Sequence, residues 1–386
     1  MVPHSAIGKG YQQKIGAMIF QPVKLKTMRS NKYILLLILL GGIFSGSMIS
    51  CKKSSSAPDY HSDKTRLKSV IDSLTAVSGA SVEGNKPGQY IPGAKEALDS
   101  VIGLGQSVYS ANNYTQEQVN NALNNLLRAG NTFSTQLLQQ VSVENLMGYW
   151  KFNGNANDSS GHQHDGLLKT NWTGPDASHA VDGGTLPQLV TDRFGQPNSA
   201  YYFEKGATIE VPYSGDLNPK SMTISLWLTT DVPSTGGDYM FAMNRWWGYK
   251  LNLQGSNFLY FTVYKGNSNW VTDDDGGSGS TVPLSTWVHA AVSYDNANST
   301  VKFYLNGALV KTITDKTGPP ATLTTPYNIT IGNELPKAKY NLGDSNDPDY
   351  YWGPDNFTGT LDDVRFYNTA LTDNEVLSIY TQEKTP

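Results

Sequence analysis

The chain has a single cysteine in 386 residues, so no disulfide can form within it, and any case for export must rest on something other than cystines. Charge is scarce as well. Asp, Glu, Lys and Arg make up 16% of the residues and the formal net charge is −4, which leaves no basic footprint for a nucleic acid. There is no phosphate-cradling loop, no Gly-x-Ser-x-Gly elbow and no zinc-binding helix motif. What is abundant is glycine, with 37 residues, and tyrosine, with 22. Together with few charges, they suit a β-rich protein with many turns.

The one cysteine, Cys51, closes an apolar run that starts at Ile34 and ends in Met48-Ile49-Ser50. This resembles a bacterial lipoprotein signal with its lipobox; Met48 stands where Leu is usual, and Ser50 supplies the small residue. The resemblance implies cleavage before Cys51, lipidation of its thiol and new amine, and an exported protein lipid-anchored to a membrane. Two or more acyl chains would hold it there stably. The alternative is an uncleaved transmembrane anchor. Against it, the apolar core is shorter than the roughly 20 residues a bilayer needs, and Ser45 and Ser47 interrupt its end. Arg29 and Lys32 form a basic flank directly after Met28, so Met28 is the expected true start and residues 1–50 the signal region. Lys52 and Lys53 provide no acidic retention signal, which favours the outer membrane and cell surface. Residues 51–61 read as a lipidated tether.

Residues 62–142 read as helical. Leu67, Val70, Ile71, Leu74 and Val77 recur at three- and four-residue steps, as do Ala94, Ala97, Leu98, Val101 and Ile102. Thr115-Gln116-Glu117-Gln118 is a capping box that opens a third periodic run through Val119, Ala122, Leu123, Leu126 and Phe133. Three amphipathic helices with short connections predict a three-helix bundle. Tyr114 to Val119 with Ala122, Leu126 and Ala129 resembles the FIVAR-type module of bacterial surface proteins. That implies a binding module; a plain stalk is the other reading.

From Leu146 the period changes to two. Runs such as Met222–Thr230, Tyr239–Met243, Tyr249–Gln254, Phe258–Lys265, Trp287–Tyr294 and Thr358–Phe366 predict short strands, and Asn306-Gly307 predicts a tight hairpin. Residues 143–386 are therefore expected to form an antiparallel β-sandwich, closed by a short helix at Thr372–Thr381 with a second capping box. The fold class expected for the whole chain is multidomain α and β.

The segments Gly148-Tyr149-Trp150-Lys151-Phe152, Met222 to Leu228, Trp287 to Val292, Val301 to Gly307 and Phe357 to Asn368 resemble, in this order, the LamG-like jelly roll of the concanavalin A-like lectin/glucanase superfamily. The resemblance covers Leu146 to Pro386. It implies glycan or ligand binding at a cell surface. Glucanases of that superfamily carry Glu-x-Asp-x-x-Glu on one strand as acid and nucleophile. No such string occurs here, so the chain is expected to be non-catalytic.

Strict alternation places Thr360, Asp362, Val364 and Phe366 on one strand face, with Asp362 partly buried. Asn155 and Asp158, in the loop that the family sets nearby, could join Asp362 and loop carbonyls around a structural Ca²⁺. Alternatively Asp362 ties the loop down through its amides. His162 and His164 are two apart and could share a transition metal. No third His or Cys lies near them, so exposed loop positions are expected instead. The family usually has Asn or small polar residues there.

Trp246, Trp247, Trp270, Tyr350, Tyr351 and Trp352 lie in or beside loops rich in Gly, Asn and Asp, where sugar rings could stack on them. The expected function is thus a lipid-anchored, lectin-like carbohydrate-binding protein whose partner is a polysaccharide or other glycan. The alternatives are a structural or adhesion module that binds an outer-membrane protein, and an unrecognised glycoside hydrolase.

Overall fold

The computed structural model describes residues 59–174, 179–234, 236–267, 269–274, 281–314, 319–323, 326–346 and 353–386, with the side chains of 269–274 excepted. The expectations for Met28, Cys51, Tyr350, Tyr351 and Trp352 fall outside the described residues. Among the described residues no helix is long and apolar enough to cross a membrane.

Three helices open the described chain: α1 (Thr65–Ala80), α2 (Ala94–Ser110) and α3 (Gln116–Ser134). Most of the periodic apolar residues meet as read from the sequence, whereas Val77 and Ala97 are exposed. Leu67 and Ile71 pack on Val119, Leu123 and Leu126, while Ala94, Leu98 and Phe133 form a second cluster. Tyr90 stacks on Phe133 at 3.9 Å. The capping box is present: Thr115 Oγ1 accepts from the Gln118 amide and the Gln118 side chain accepts from the Thr115 amide.

The remainder is an antiparallel sandwich. Its strands are β1 (Leu146–Trp150), β2 (Leu167–Thr170), β3 (Gln188–Val190), β4 (Ala200–Phe203), β5 (Ala207–Val211), β6 (Met222–Thr229), β7 (Asp238–Met243), β8 (Tyr249–Gln254), β9 (Phe258–Gly266), β10 (Asn269–Asp274), β11 (Val288–Asp295), β12 (Thr300–Leu305), β13 (Ala308–Ile313), β14 (Ile329–Ile331) and β15 (Gly359–Tyr367). One sheet runs β13-β12-β11-β6-β15-β4-β3, with β1 also on β15; the other runs β10-β9-β8-β7-β14-β5-β2. Between them Trp150, Phe203, Phe241, Tyr249, Phe261, Phe303 and Phe366 are buried. Phe241 and Tyr249 each stack on Phe366, at 5.7 and 5.6 Å. Side chains of this size contribute roughly 1.5–3 kcal/mol each when fully buried, so this cluster dominates the stability of the sandwich.

The final helix α4 (Asp373–Glu383) covers the outer face of the eight-stranded sheet, with Val376 and Ile379 packed on Ala291, Tyr304 and Tyr367. It also holds the segment after α3. The Gln139 amide donates to Ser378 Oγ at 2.7 Å, and Asn374 Nδ2 donates to the Leu137 carbonyl at 3.3 Å.

The alternation read through β15 needs one correction. Leu361, Val364 and Phe366 face the core, and Asp362 does not share their face. A bulge lies between Asp362 and Arg365, where Asp363 has a φ of +46°. One extra residue inverts the parity of everything before it.

Candidate functional site

The outer face of the seven-stranded sheet is unusually polar and unusually covered. In Tyr249-Lys250-Leu251-Asn252-Leu253, alternation sends the apolar residues to the core and Lys250 and Asn252 outward. The register sets Lys250 between Ala242 and Thr262, and Asn252 between Tyr239 and Tyr260. Yet Lys250, Asn252 and Thr262 are fully buried.

The cover starts in the connection between β7 and β8. Asn244 and Arg245 both adopt left-handed φ values, +53° and +47°. They fold the chain into a 3₁₀ turn over Arg245–Trp247. Two successive non-glycine residues in this region cost of order 1 kcal/mol each, so the rest of the structure must hold them there. It does so through a buried ion pair, in which Arg245 Nε lies 2.6 Å from Glu334 Oε2. The turn drops Trp246 over Lys250, whose Nζ lies 3.4 Å from the ring centroid and 2.9 Å from the Tyr239 hydroxyl. It leaves Trp247 52% exposed, its ring set edge-on to Tyr264 at 5.1 Å.

The electrostatics follow from burial. Desolvation pushes the Lys250 amine down to about 7, with Glu334 opposing and Arg245 reinforcing. Desolvation, together with the neighbouring Glu334 charge, pushes the Asp355 carboxyl up to about 8. Burial also raises Asp238. Asn252 Oδ1 and Thr262 Oγ1 are buried without a hydrogen-bond partner. These groups are sealed beneath the turn, and what reaches solvent above them is the aromatic edge of Trp247 and the half-buried Tyr264, which suits a ligand with an apolar face.

Of the residues read from the sequence, Trp246 and Trp247 belong to this rim. The backbone of Trp270 pairs with Tyr264, the residue Trp247 contacts. Tyr350, Tyr351 and Trp352 lie outside the described residues. Sequence reasoning missed Lys250, Arg245, Glu334 and Asp355. The available signal was the pair Lys250 and Asn252 on one face of an otherwise apolar strand.

The trio named for Ca²⁺ has no common partner. Asp158 accepts from the amides of Tyr149, Ser160 and His164 and from the Ser160 hydroxyl. Burial pushes its carboxyl up, but these hydrogen bonds outweigh burial and hold it below the usual range. Asn155 Oδ1 accepts from the Asn157 amide. Asp362 instead accepts from Arg193 and from the Asp363 amide. Arg193 also reaches Asp363 at 2.7 Å and the Glu383 carbonyl at 3.0 Å, and it stacks on Trp227 at 4.4 Å. Burial and the Asp363 charge raise the Asp362 carboxyl to about 8, against the pull of Arg193. The loop is therefore tied down by Asp158 from within, not by Asp362. Among the described residues no three His, Cys, Asp or Glu side chains are gathered as a metal site. The histidines need a correction too: His164 is buried, with Nδ1 on the Met147 carbonyl at 2.7 Å.

Comparison with known proteins adds the fold's relatives. A family model described as the concanavalin A-like lectin/glucanases superfamily matches residues 203–377, from β4 into α4. No curated protein matches. Among solved structures, domain 4 of an extracellular arabinanase from Geobacillus stearothermophilus, in complex with arabinotriose, is 22% identical, covering 61% of this chain and 98% of that one at a TM-score of 0.43. The binding domain of Paraclostridial Mosquitocidal Protein 1 is 17% identical, covering 62% and 52% at 0.43. The binding domain of Botulinum neurotoxin DC in complex with rat synaptotagmin II is 15% identical, covering 62% and 51% at 0.40. The chain thus spans about half the length of the two toxin domains.

Proposed function

We propose that the chain is a non-catalytic, lectin-like carbohydrate-binding protein, lipid-anchored through Cys51 at the outer membrane or cell surface. Its glycan site lies on the outer face of the seven-stranded sheet, at the end built by Trp246, Trp247, Tyr260 and Tyr264. The observation that carries this is Trp247. A large indole is left half-exposed on a turn that needs two left-handed residues and a buried ion pair to exist. An apolar ring held rigidly in solvent suits stacking against the C–H face of a sugar. The helical part serves as a spacer between anchor and sandwich.

Affinity electrophoresis against a polysaccharide panel tests the site. Wild type is retarded by at least one glycan. Trp247→Ala weakens that binding by about tenfold or more while its melting temperature stays within about 2 °C, as expected for an exposed side chain. If no glycan binds and cross-linking recovers one outer-membrane protein, the adhesion reading replaces this one. Palmitate labelling that is lost in Cys51→Ser tests the anchor.

One observation favours a second reading, glycoside hydrolysis. Glu334 and Asp355 interact, and the Asp355 carboxyl is raised to about 8, the pattern of an acid beside a base. Against it, Glu334 is fully buried and committed to Arg245. Turnover of a chromogenic glycoside that Asp355→Asn abolishes would establish it.

A further inference from the structure

After β1, the loop that carries His162 and His164 meets the 3₁₀ turn Gly215–Leu217, which holds Asp216. His164 Nδ1 lies 2.7 Å from the Met147 carbonyl oxygen. That oxygen can only accept, so Nδ1 carries the proton and Nε2 presents a lone pair. Nε2 lies 3.4 Å from Asp216 Oδ1, an oxygen that is buried and has no hydrogen-bond partner. Two acceptors therefore face each other. Their separation of 3.4 Å is about the edge of a tetrahedron whose metal–ligand bonds are about 2.0–2.1 Å. The other Asp216 oxygen lies 3.7 Å from His162 Nδ1, and the two imidazoles are near-parallel, 15° apart in plane with centroids 5.9 Å apart.

We propose that His162, His164 and Asp216 bind one divalent transition cation of the zinc class, with water completing the coordination. Two imidazoles and one carboxylate select such an ion over Ca²⁺ or Mg²⁺. The Met147 carbonyl fixes the His164 tautomer, as outer-shell acceptors do for metal-bound imidazoles. Both flanks are anchored in the core. The His164 carbonyl accepts from Trp150 Nε1 at 2.8 Å, and the carbonyl of the fully buried Leu217 accepts from the Tyr249 hydroxyl at 2.7 Å. His162 is the most exposed of the three, its side chain 36% exposed. Since no three such donors already converge among the described residues, the ion is captured when His162 turns inward. The ion then staples the loop after β1 to the turn before β6. The site is separate from the aromatic rim and does not depend on the glycan reading.

The test uses the full chain produced without a histidine tag, stripped with EDTA and dialysed. Isothermal titration and thermal melts are run with Zn²⁺, Co²⁺ and Ca²⁺. The expected result is one equivalent of Zn²⁺ at about micromolar affinity, a raised melting temperature, a visible Co²⁺ ligand-field band, and no response to Ca²⁺. His162→Ala and Asp216→Asn, both at partly exposed positions, fold without metal and weaken Zn²⁺ binding by about tenfold or more. Three outcomes overturn the proposal: wild type binding neither Zn²⁺ nor Co²⁺, both variants binding as wild type does, or Ca²⁺ producing the same stabilisation.

Discussion

Lys250→Met should stabilise the protein at neutral pH and destabilise it at alkaline pH. Lys250 is fully buried, and burial takes its amine from an ordinary 10.5 to about 7. In the unfolded chain the amine takes up its proton as pH falls through 10.5; the folded protein resists until about 7. Stability is therefore lost as pH falls across that window. Linkage puts the loss at about 4 kcal/mol at pH 7 and about 1 kcal/mol at pH 10. Methionine fills nearly the same space and carries no charge. It forgoes the hydrogen bond to the Tyr239 hydroxyl and leaves that buried hydroxyl without this partner, a loss of about 2–3 kcal/mol. The variant should then be more stable than wild type by about 1–2 kcal/mol at pH 7, and less stable by a similar amount at pH 10. For a domain of this size the neutral-pH gain corresponds to a melting-temperature rise of about 2–8 °C. Urea titrations of both proteins, followed by tryptophan fluorescence at the two pH values, measure it. The telling quantity is the swing of about 3–4 kcal/mol between the two pH values. A difference between variant and wild type that stays constant from pH 7 to pH 10 refutes the reasoning.

Three further outcomes follow from other parts of the fold. Arg193→Met leaves the buried Asp362 without its cation and should cost about 3–5 kcal/mol. Because the folded Asp362 carboxyl is raised to about 8, its protonation below that pH eases the loss, so urea midpoints should differ less at pH 5 than at pH 8, and Asp362→Asn in the same chain should recover much of the deficit. Gly332→Ala places a methyl 2.2 Å from the Phe203 ring at a φ of +85°; a loss of about 2–4 kcal/mol is expected, and a neutral result would mean that this strand end relaxes freely. Adding Ca²⁺ to the metal-stripped chain should leave the melting temperature unchanged, because Asp158 and Asp362 already spend their oxygens on amides, a hydroxyl and Arg193; a rise would restore a calcium site to the loop after β1.

The sequence made the fold readable because its signals are local. Three helical faces, one capping box at each helical end of the chain, and the alternation in β6, β8 and β11 all reappear in the structure. The short strands β2, β3 and β10 were not evident. β2 and β3 are partly or fully exposed, so no apolar alternation marks them. The site was legible only in its aromatics. Trp246 and Trp247 stand out in any reading, but Lys250 in a strand reads as a solvated cation. Glu334 and Asp355 meet Arg245 only through long-range pairing of β7 with β14. Asp362 was misplaced because a bulge at Asp363 carries no sequence mark that a charged strand would not also show. Asp216 lay too far along the chain for its link with His162 and His164 to be seen.

The position of β15 bears on how the molecule is made. It lies between β6 on one side and β1 and β4 on the other. During vectorial synthesis the middle of the eight-stranded sheet is thus the last strand to leave the ribosome. Until it does, β1, β4 and β6 wait with open edges and greasy inner faces, the condition in which nascent chains stick to one another. A ribosome stalled ahead of Gly359 would hold a sandwich without its keystone. Chaperone cover of the nascent chain is accordingly expected of this topology, and loss of the C-terminal segment should yield insoluble chains in place of a smaller soluble domain.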